Sequence, residues 1–336
     1  MLRLVVLLAT VGLAVVVLGQ WAVWAGESPT PPEEPKDAIQ GVYLGTFTPA
    51  GGAAAKIEAD VIAEGDDMYR AVLLLKGMDA KAPRTELTGK AEAGKVALAG
   101  KAGDVEWKGA IDGGKLTAES KDGKVEAAFT EKKPPTLGAK PPAGAVVLIP
   151  FEEGKAPSMD EWANPNWKPL EDGSVLVYHG DNRSKKSFGD MKFHIEIRTP
   201  FMPKARGQGR GNSGVYLQDR YEVQVLDSFG LAPQNNEMAA IYGIQAPSQY
   251  AALPPGQWQT YDIEYRAPKV DADGKKTKDA NVTIVWNGVK VIDNFDIPKT
   301  TGGAAAGEVA EGPIRLQDHA GDPVRFRNAW VVPLKE

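Results

Sequence analysis

The feature that most constrains this chain is the spacing of its apolar residues. They recur at alternate positions in short runs, separated by turns of Gly, Pro and Asn. Beyond position 146 no window of ten or more residues carries a 3.6-residue period. A period of two sends successive side chains to opposite faces of a strand. The pattern therefore predicts an all-β protein.

At 336 residues the chain has room for two domains. Two Pro-rich stretches divide it. Residues 26–40 read as a first linker, rich in Pro and Glu. Residues 133–145, with Pro134, Pro135, Pro141 and Pro142, read as a second. Between them, residues 41–132 hold short alternating runs and turns such as Asp112-Gly113-Gly114 and Asp122-Gly123. This predicts a small antiparallel β-meander or barrel. Its polar positions are mostly Lys, Glu, Asp and Thr, without His, the composition of a solvated face. Residues 146–336 predict a two-sheet β-sandwich of jelly-roll type.

The N-terminus reads as an export signal. Met1-Leu2-Arg3 precedes an apolar run over residues 4–18, which leads into Trp21-Ala22-Val23-Trp24-Ala25. That is the layout of a signal peptide cleaved after Ala25. The alternative is an uncleaved anchor, the one membrane contact expected. Both place the rest of the protein outside the cytoplasm, periplasmic or secreted. Lys and Arg number 39 against 44 Asp and Glu, a net charge of -5. With no basic block, nucleic acid is not an expected partner. The absence of Cys excludes disulfides, thiolate nucleophiles and Cys-ligated zinc.

Four segments beyond residue 146 alternate cleanly. Phe193, Ile195 and Ile197 share one face of their strand; His194, Glu196 and Arg198 share the other. Ile314 and Leu316 oppose Arg315, Gln317 and His319. Val324 and Phe326 oppose Arg325 and Arg327. The fourth segment, residues 214–226, reads as a hairpin. A three-residue loop at Asp219-Arg220-Tyr221 keeps Val215, Leu217, Val223 and Val225 on one buried face. Gln218 then pairs with Glu222, and Tyr216 with Gln224. These faces are rich in Arg, Gln, His and Tyr, with almost no Lys. Planar multi-donor side chains suit recognition of hydroxyls and carbonyls.

The string Gly211-Asn212-Ser213-Gly214-Val215-Tyr216-Leu217-Gln218, with Tyr221-Glu222-Val223-Gln224-Val225-Leu226-Asp227-Ser228, resembles the signature of the 3-keto-disaccharide hydrolase family. So do Gly312-Pro313-Ile314-Arg315-Leu316-Gln317-Asp318-His319 and Val324-Arg325-Phe326-Arg327-Asn328. The family's opening element is degraded here to Leu148-Ile149-Pro150-Phe151-Glu152-Glu153-Gly154. The resemblance implies a concanavalin-like sandwich acting on a glycoside whose C3 hydroxyl is oxidised to a ketone, in a disaccharide or another glycoside.

A C3 ketone acidifies the C2 hydrogen, so a base can form an enolate that expels the C1 aglycone, and water adds back. This needs a base, an enolate stabiliser and an acid. Glu222 and His319 are the candidates for base and acid. Arg198 and Arg325 are the candidates for the enolate oxygen. Asn212, Tyr216, Gln218, Gln224, Tyr242, Arg315 and Gln317 are expected to hold the substrate. No cofactor is certain from the sequence. A divalent ion held by His319, Glu222 and a neighbouring carboxylate stays open, although no metal-binding spacing is present. Two alternatives remain. A conventional glycosidase needs paired acids, for which Glu196 and Glu222 are the candidates. A non-catalytic carbohydrate-binding module needs neither.

Overall fold

The computed structural model describes residues 37–319 and 321–335. The signal or anchor and most of the first linker lie outside them. Among the described residues, no helix is long and apolar enough to cross a membrane.

Eight strands form a closed antiparallel barrel: β1 (Gly41–Pro49), β2 (Ala55–Gly65), β3 (Met68–Leu73), β4 (Thr85–Glu92), β5 (Lys95–Ala102), β6 (Val105–Asp112), β7 (Lys115–Ser120) and β8 (Gly123–Phe129). Alternate residues such as Tyr43, Ala59, Val61, Leu87, Trp107 and Leu116 fill it. The outward polar positions of β4–β8 are largely exposed, as a solvated face requires.

Strand β2 departs from that pattern. It is buried without interruption from Ile57 to Ala63. One of its faces fills the barrel, while the other meets the second domain. Val42, Ile62, Val72 and Leu74 belong to the sandwich core rather than to the barrel's own. Burial of such a side chain contributes about 1.5–3 kcal/mol relative to exposure. Glu58 and Asp60, read from sequence as solvated, lie on this covered face. Burial, then the charge of Glu58, pushes the Asp60 carboxyl up to about 8, against the opposing effects of Tyr250, Lys132 and Arg84.

The sandwich begins with β9 (Val146–Ile149), β10 (Lys168–Pro169), β11 (Val175–Leu176), β12 (Asn182–Phe188) and β13 (Met191–Arg198). The hairpin β14 (Ser213–Leu217) and β15 (Tyr221–Val225) follows, then β16 (Gln259–Arg266). A two-stranded ribbon pairs β17 (Lys269–Val270) with β18 (Lys276–Lys278). The last strands are β19 (Ala280–Trp286), β20 (Val289–Ile297), β21 (Gly312–Leu316) and β22 (Arg325–Pro333). The larger sheet runs β10-β11-β22-β13-β16-β19-β20, with β9 also on β22; the smaller runs β12-β21-β14-β15. The core between them includes Phe193, Ile195, Ile197, Val215, Leu217, Val223, Ile314, Leu316 and Phe326.

Residues 133–145 lie against the outer face of the larger sheet. Thr136 Oγ1 donates to Asp262 at 2.6 Å, and the Gly138 amide donates to Glu196 at 2.6 Å. Asn328, at φ 46 where β22 shifts register against β13, donates to Glu196 and to the Ala139 carbonyl. Asn tolerates that left-handed conformation better than most residues.

The raised Asp60 carboxyl has a consequence for stability. Its folded-state affinity for protons exceeds the unfolded one, so its ionisation destabilises the fold as pH rises from about 4 to about 8. Asp60→Asn should therefore melt higher than the parent at pH 9 and much closer to it at pH 5. Thermal unfolding at both pH values checks this, and an equal difference at the two would refute it.

Candidate active site

The smaller sheet carries one row of polar side chains across all four of its strands. Arg183 of β12 pairs with Arg315 of β21, Arg315 with Tyr216 of β14, and Tyr216 with Glu222 of β15. Tyr216, Glu222 and Arg315 each lie one residue from core residues of their own strands, such as Val215, Val223 and Leu316, and this odd spacing sends them to the outer face. The row is nonetheless shielded: Tyr216, Glu222 and Arg315 are all buried.

The hairpin turns one residue earlier than its sequence suggests. Its loop is Gln218-Asp219-Arg220, and Tyr216 rather than Gln218 faces Glu222. The pairing is offset by two residues, so every side chain keeps its face. Gln218 instead enters the turn, at φ 54. Its amide donates to the Phe188 and Ala310 carbonyls, and its Oε1 accepts from Tyr265. It is a buried turn anchor, which corrects its expected place among the substrate contacts.

Glu222 is 4% exposed. One carboxylate oxygen accepts from the Tyr216 hydroxyl at 2.9 Å, and Thr301 Oγ1 accepts from the Glu222 amide at 2.9 Å. Burial raises the Glu222 carboxyl to about 7; the Tyr216 bond and Arg315 pull it down, and Asp181 pushes it up. The Arg315 guanidinium stacks over the Tyr216 ring at 3.5 Å. It is held by Asp219 at 2.8 Å, Asp181 at 3.2 Å and the Gly303 carbonyl at 2.9 Å. Asp219 also binds Arg183 at 2.8 Å, which lets two arginines stand side by side.

A second row lies beside the first. The Gln317 amide donates to the Gly214 carbonyl, and Gly214 pairs with Gln224. Gly214 leaves a gap between the two glutamines. A Cβ there would come within 2.6 Å of Glu222 Oε1 and 2.8 Å of the Tyr216 ring. Gln317 Nε2 donates to the Tyr216 hydroxyl at 3.2 Å, while its buried Oε1 has no partner among the described residues. Gln224 and Asn212 both donate to Gln208 Oε1. The segment around Tyr242 pairs with the free edge of β15, and the Tyr242 amide donates to the Glu222 carbonyl. His319 lies past the end of β21, in a turn where its carbonyl accepts from the Asp322 amide; its buried Nδ1 has no partner among the described residues. Asp322 in turn accepts from the Asn212 amide.

Two expected members stand elsewhere. Arg198 and Arg325 are cross-strand partners on the larger sheet. They share its outer face with His194, Glu196 and Arg327, so the core layer separates them from Glu222. Arg325 binds Asp172 at 3.2 Å. The four polar faces divide between two sheets, β13 and β22 in the larger and β14, β15 and β21 in the smaller. Glu196 and Glu222 therefore do not form a catalytic pair. Glu196 is bound by Arg327, Asn328 and Gly138. Burial alone would raise its carboxyl, but His194 and these partners hold it below the ordinary range. Among the described residues, no group of three His, Cys, Asp or Glu is placed to hold a metal ion. Asp181, Asp219, Thr301 and Gln208 were not anticipated. They belong to turns and loops, where strand periodicity carries no information.

The comparisons with known proteins give this β-sandwich and its shielded row of Arg, Tyr and Glu a class, that of carbohydrate-active proteins. Residues 145–332 match the family described as a 3-keto-alpha-glucoside-1,2-lyase-like domain, and the chain belongs to that family. Three solved structures from Parabacteroides distasonis ATCC 8503, each provisionally described as a glycosyl hydrolase, are similar. The first is 35% identical, covers 57% of this chain and 85% of its own, and has a TM-score of 0.51. The second is 17% identical, covers 57% and 94%, and has a TM-score of 0.42. The third is 20% identical, covers 56% and 99%, and has a TM-score of 0.40. No curated protein matches.

Gly214→Ala tests the packing of this site. The added methyl should cost about 1–3 kcal/mol by overpacking. Urea unfolding of the two proteins measures it. Unchanged stability would mean that the Glu222 carboxylate moves aside without cost.

Proposed function

We propose that this protein is an exported hydrolase of 3-keto-glycosides, disaccharides included, that works by C2 proton abstraction, elimination and rehydration. The observation that carries the reading is Glu222, a buried carboxyl held near neutrality beside a tyrosine and a stacked arginine. A base is most effective when its pKa lies near the working pH.

Glu222 takes the C2 proton of the oxidised ring. The electron pair left on C2 forms the enolate with the C3 carbonyl. The C1–O bond then breaks as the C1–C2 double bond forms, and His319 protonates the departing oxygen. Water adds to C1 as one of its protons passes to His319, and C2 recovers a proton from Glu222, which restores both residues. Arg315 takes the role of enolate stabiliser first assigned to Arg198 and Arg325, because it stands in the same row as Glu222. Fixed charge aimed at a developing oxyanion is a strong form of catalysis. Asn212, Tyr216, Gln224, Tyr242 and Gln317 hold hydroxyls.

A conventional two-carboxylate glycosidase is disfavoured, because Glu196 stands on the opposite sheet in a closed network. Export rests on the apolar N-terminal sequence.

Glu222→Gln should lower kcat on a 3-keto-glucoside by at least ~100-fold, and His319→Ala by a similar factor. The unoxidised glucoside should not be cleaved. Near-normal turnover by both variants, or equal cleavage of both sugars, would end this scheme. In the parent, kcat/KM should rise with pH through about 7 as Glu222 ionises. Tyr216→Phe removes a hydrogen bond to the ionised form, so that rise should move to higher pH. A pH profile that does not move would remove Glu222 from the role of base.

A further inference from the structure

Among the described residues the barrel carries no group of three His, Cys, Asp or Glu placed to hold a metal, yet it grips both loops that border the Glu222 sheet. We propose that it is a positioning domain whose β2–β3 turn holds residues 201–212 so that Gln208 can brace the substrate contacts Gln224 and Asn212. This deepens the functional reading above and rests on it.

The loop over residues 201–212 needs an external hold. Gly207, Gly209 and Gly211 fall within it, and glycine loses the most backbone freedom when ordered. Its far end is fixed by Arg210, buried against Asp227 at 2.6 Å. Its near end is fixed by the barrel. Phe201 packs against the barrel core. Lys204 binds Asp66 at 2.6 Å, and its stem lies on Gly65, where a Cβ would meet it at 2.6 Å. Arg206 donates to the Glu64 carbonyl at 3.1 Å and pairs with the Glu64 carboxylate. Arg70 Nε, 2.9 Å from Glu64, aims that carboxylate from within the barrel wall.

Between these two fixed ends sits Gln208, in a single 3-10 turn over Gly207–Gly209. Its Oε1 accepts from Gln224 at 2.9 Å and from Asn212 at 3.2 Å. Its Nε2 donates to the Asn236 carbonyl at 2.9 Å. Asn236 belongs to the other border, residues 228–242, which the barrel also holds. Arg70 and Arg84 both donate to the Gly230 carbonyl, and Gly230 sits on Ile62. The two borders thus meet at one side chain, Gln208, and both are moored to the same barrel strands. Gln208 acts through Gln224 and Asn212, which makes it a positioning residue.

The test uses the full-length protein, with Glu64→Ala and Gln208→Ala. Hydrogen exchange over residues 201–212 reports the hold on the loop without any need for turnover. Kinetics on a 3-keto-glucoside report its effect on the site. Glu64→Ala should speed exchange in that loop and raise KM about three- to fivefold, the size expected from a partly exposed ion pair. Gln208→Ala should raise KM about tenfold, because it leaves Gln224 only the distant Asn236 carbonyl and removes one of the two acceptors of Asn212. In both, kcat should stay within about twofold, and Glu64→Asp should recover part of the KM. Unchanged exchange in Glu64→Ala overturns the hold, whatever the activity. Faster exchange with an unchanged KM overturns its link to the site, as does a fall in kcat with KM constant. A parent protein without activity on 3-keto-glycosides overturns the functional reading instead, and the exchange data still decide the hold.

Discussion

The desolvation of Glu222 is the constraint around which the smaller sheet is organised. An ionised carboxylate loses much of its hydration when buried and regains stability only through partners. Glu222 receives some partners but not a full set: one tyrosine hydroxyl, and a guanidinium already shared with Asp181 and Asp219. Glu196 shows the other outcome. It is equally buried, but Arg327, Asn328, Gly138 and His194 surround it, and its carboxyl stays below the ordinary range. The two residues share a chemistry and a burial and differ in their partners. A satisfied carboxylate is a structural clasp, while a partly satisfied one keeps a proton affinity near neutral pH. Gly214 adds to this by leaving the space that Glu222 and Tyr216 occupy.

Strand periodicity made the faces legible and left the sheets hidden. The outer positions Tyr216, Glu222, Gln224, Arg315 and Gln317 follow directly from alternation. Even the misplaced hairpin loop kept them, because an offset of two preserves every face. Periodicity says nothing about which strands are neighbours. Arg198 and Arg325 were grouped with Glu222 because their strands carry the same polar character, yet those strands pair with each other on the larger sheet. Gln218 was lost for a related reason: the turn began one residue sooner than the apolar pattern required. Asp181 and Asp219 orient Arg315 from loops, and no short-range signal marks them. In the barrel, Glu58 and Asp60 look like solvated residues because their alternation is sound; only the presence of a second domain buries them.

The barrel and the sandwich are joined by shared core rather than by a tether. Ile62 and Val72 pack with sandwich residues, while Phe201 of the sandwich packs with the barrel. The segment after β8 continues this pattern. Its Thr136 and Gly138 close over His194, Glu196 and Asp262. Burial works against charge on His194, but Asp262 and Glu196 outweigh it and raise its pKa, so the imidazolium is favoured between two carboxylates. The outer face of the larger sheet is thus committed to holding the chain together. On the smaller sheet the polar groups face Glu222 instead, and there Gln317 Oε1 is buried without a partner among the described residues.

Glu222, the one carboxylate among the described residues of that row, also bears on the reaction. Hydrolysis of an ordinary glycoside develops positive charge at C1, and two acids must act on it in concert, one on each side of the bond. Arg315, stacked in the same row as Glu222, would oppose an oxocarbenium ion. Elimination from a 3-keto sugar develops negative charge instead, on the C3 oxygen, where a fixed guanidinium is favourable. Under the proposed scheme the same Arg315 would oppose one transition state and stabilise the other. In that scheme the guanidinium beside Glu222, although shared with Asp181 and Asp219, favours elimination over oxocarbenium chemistry.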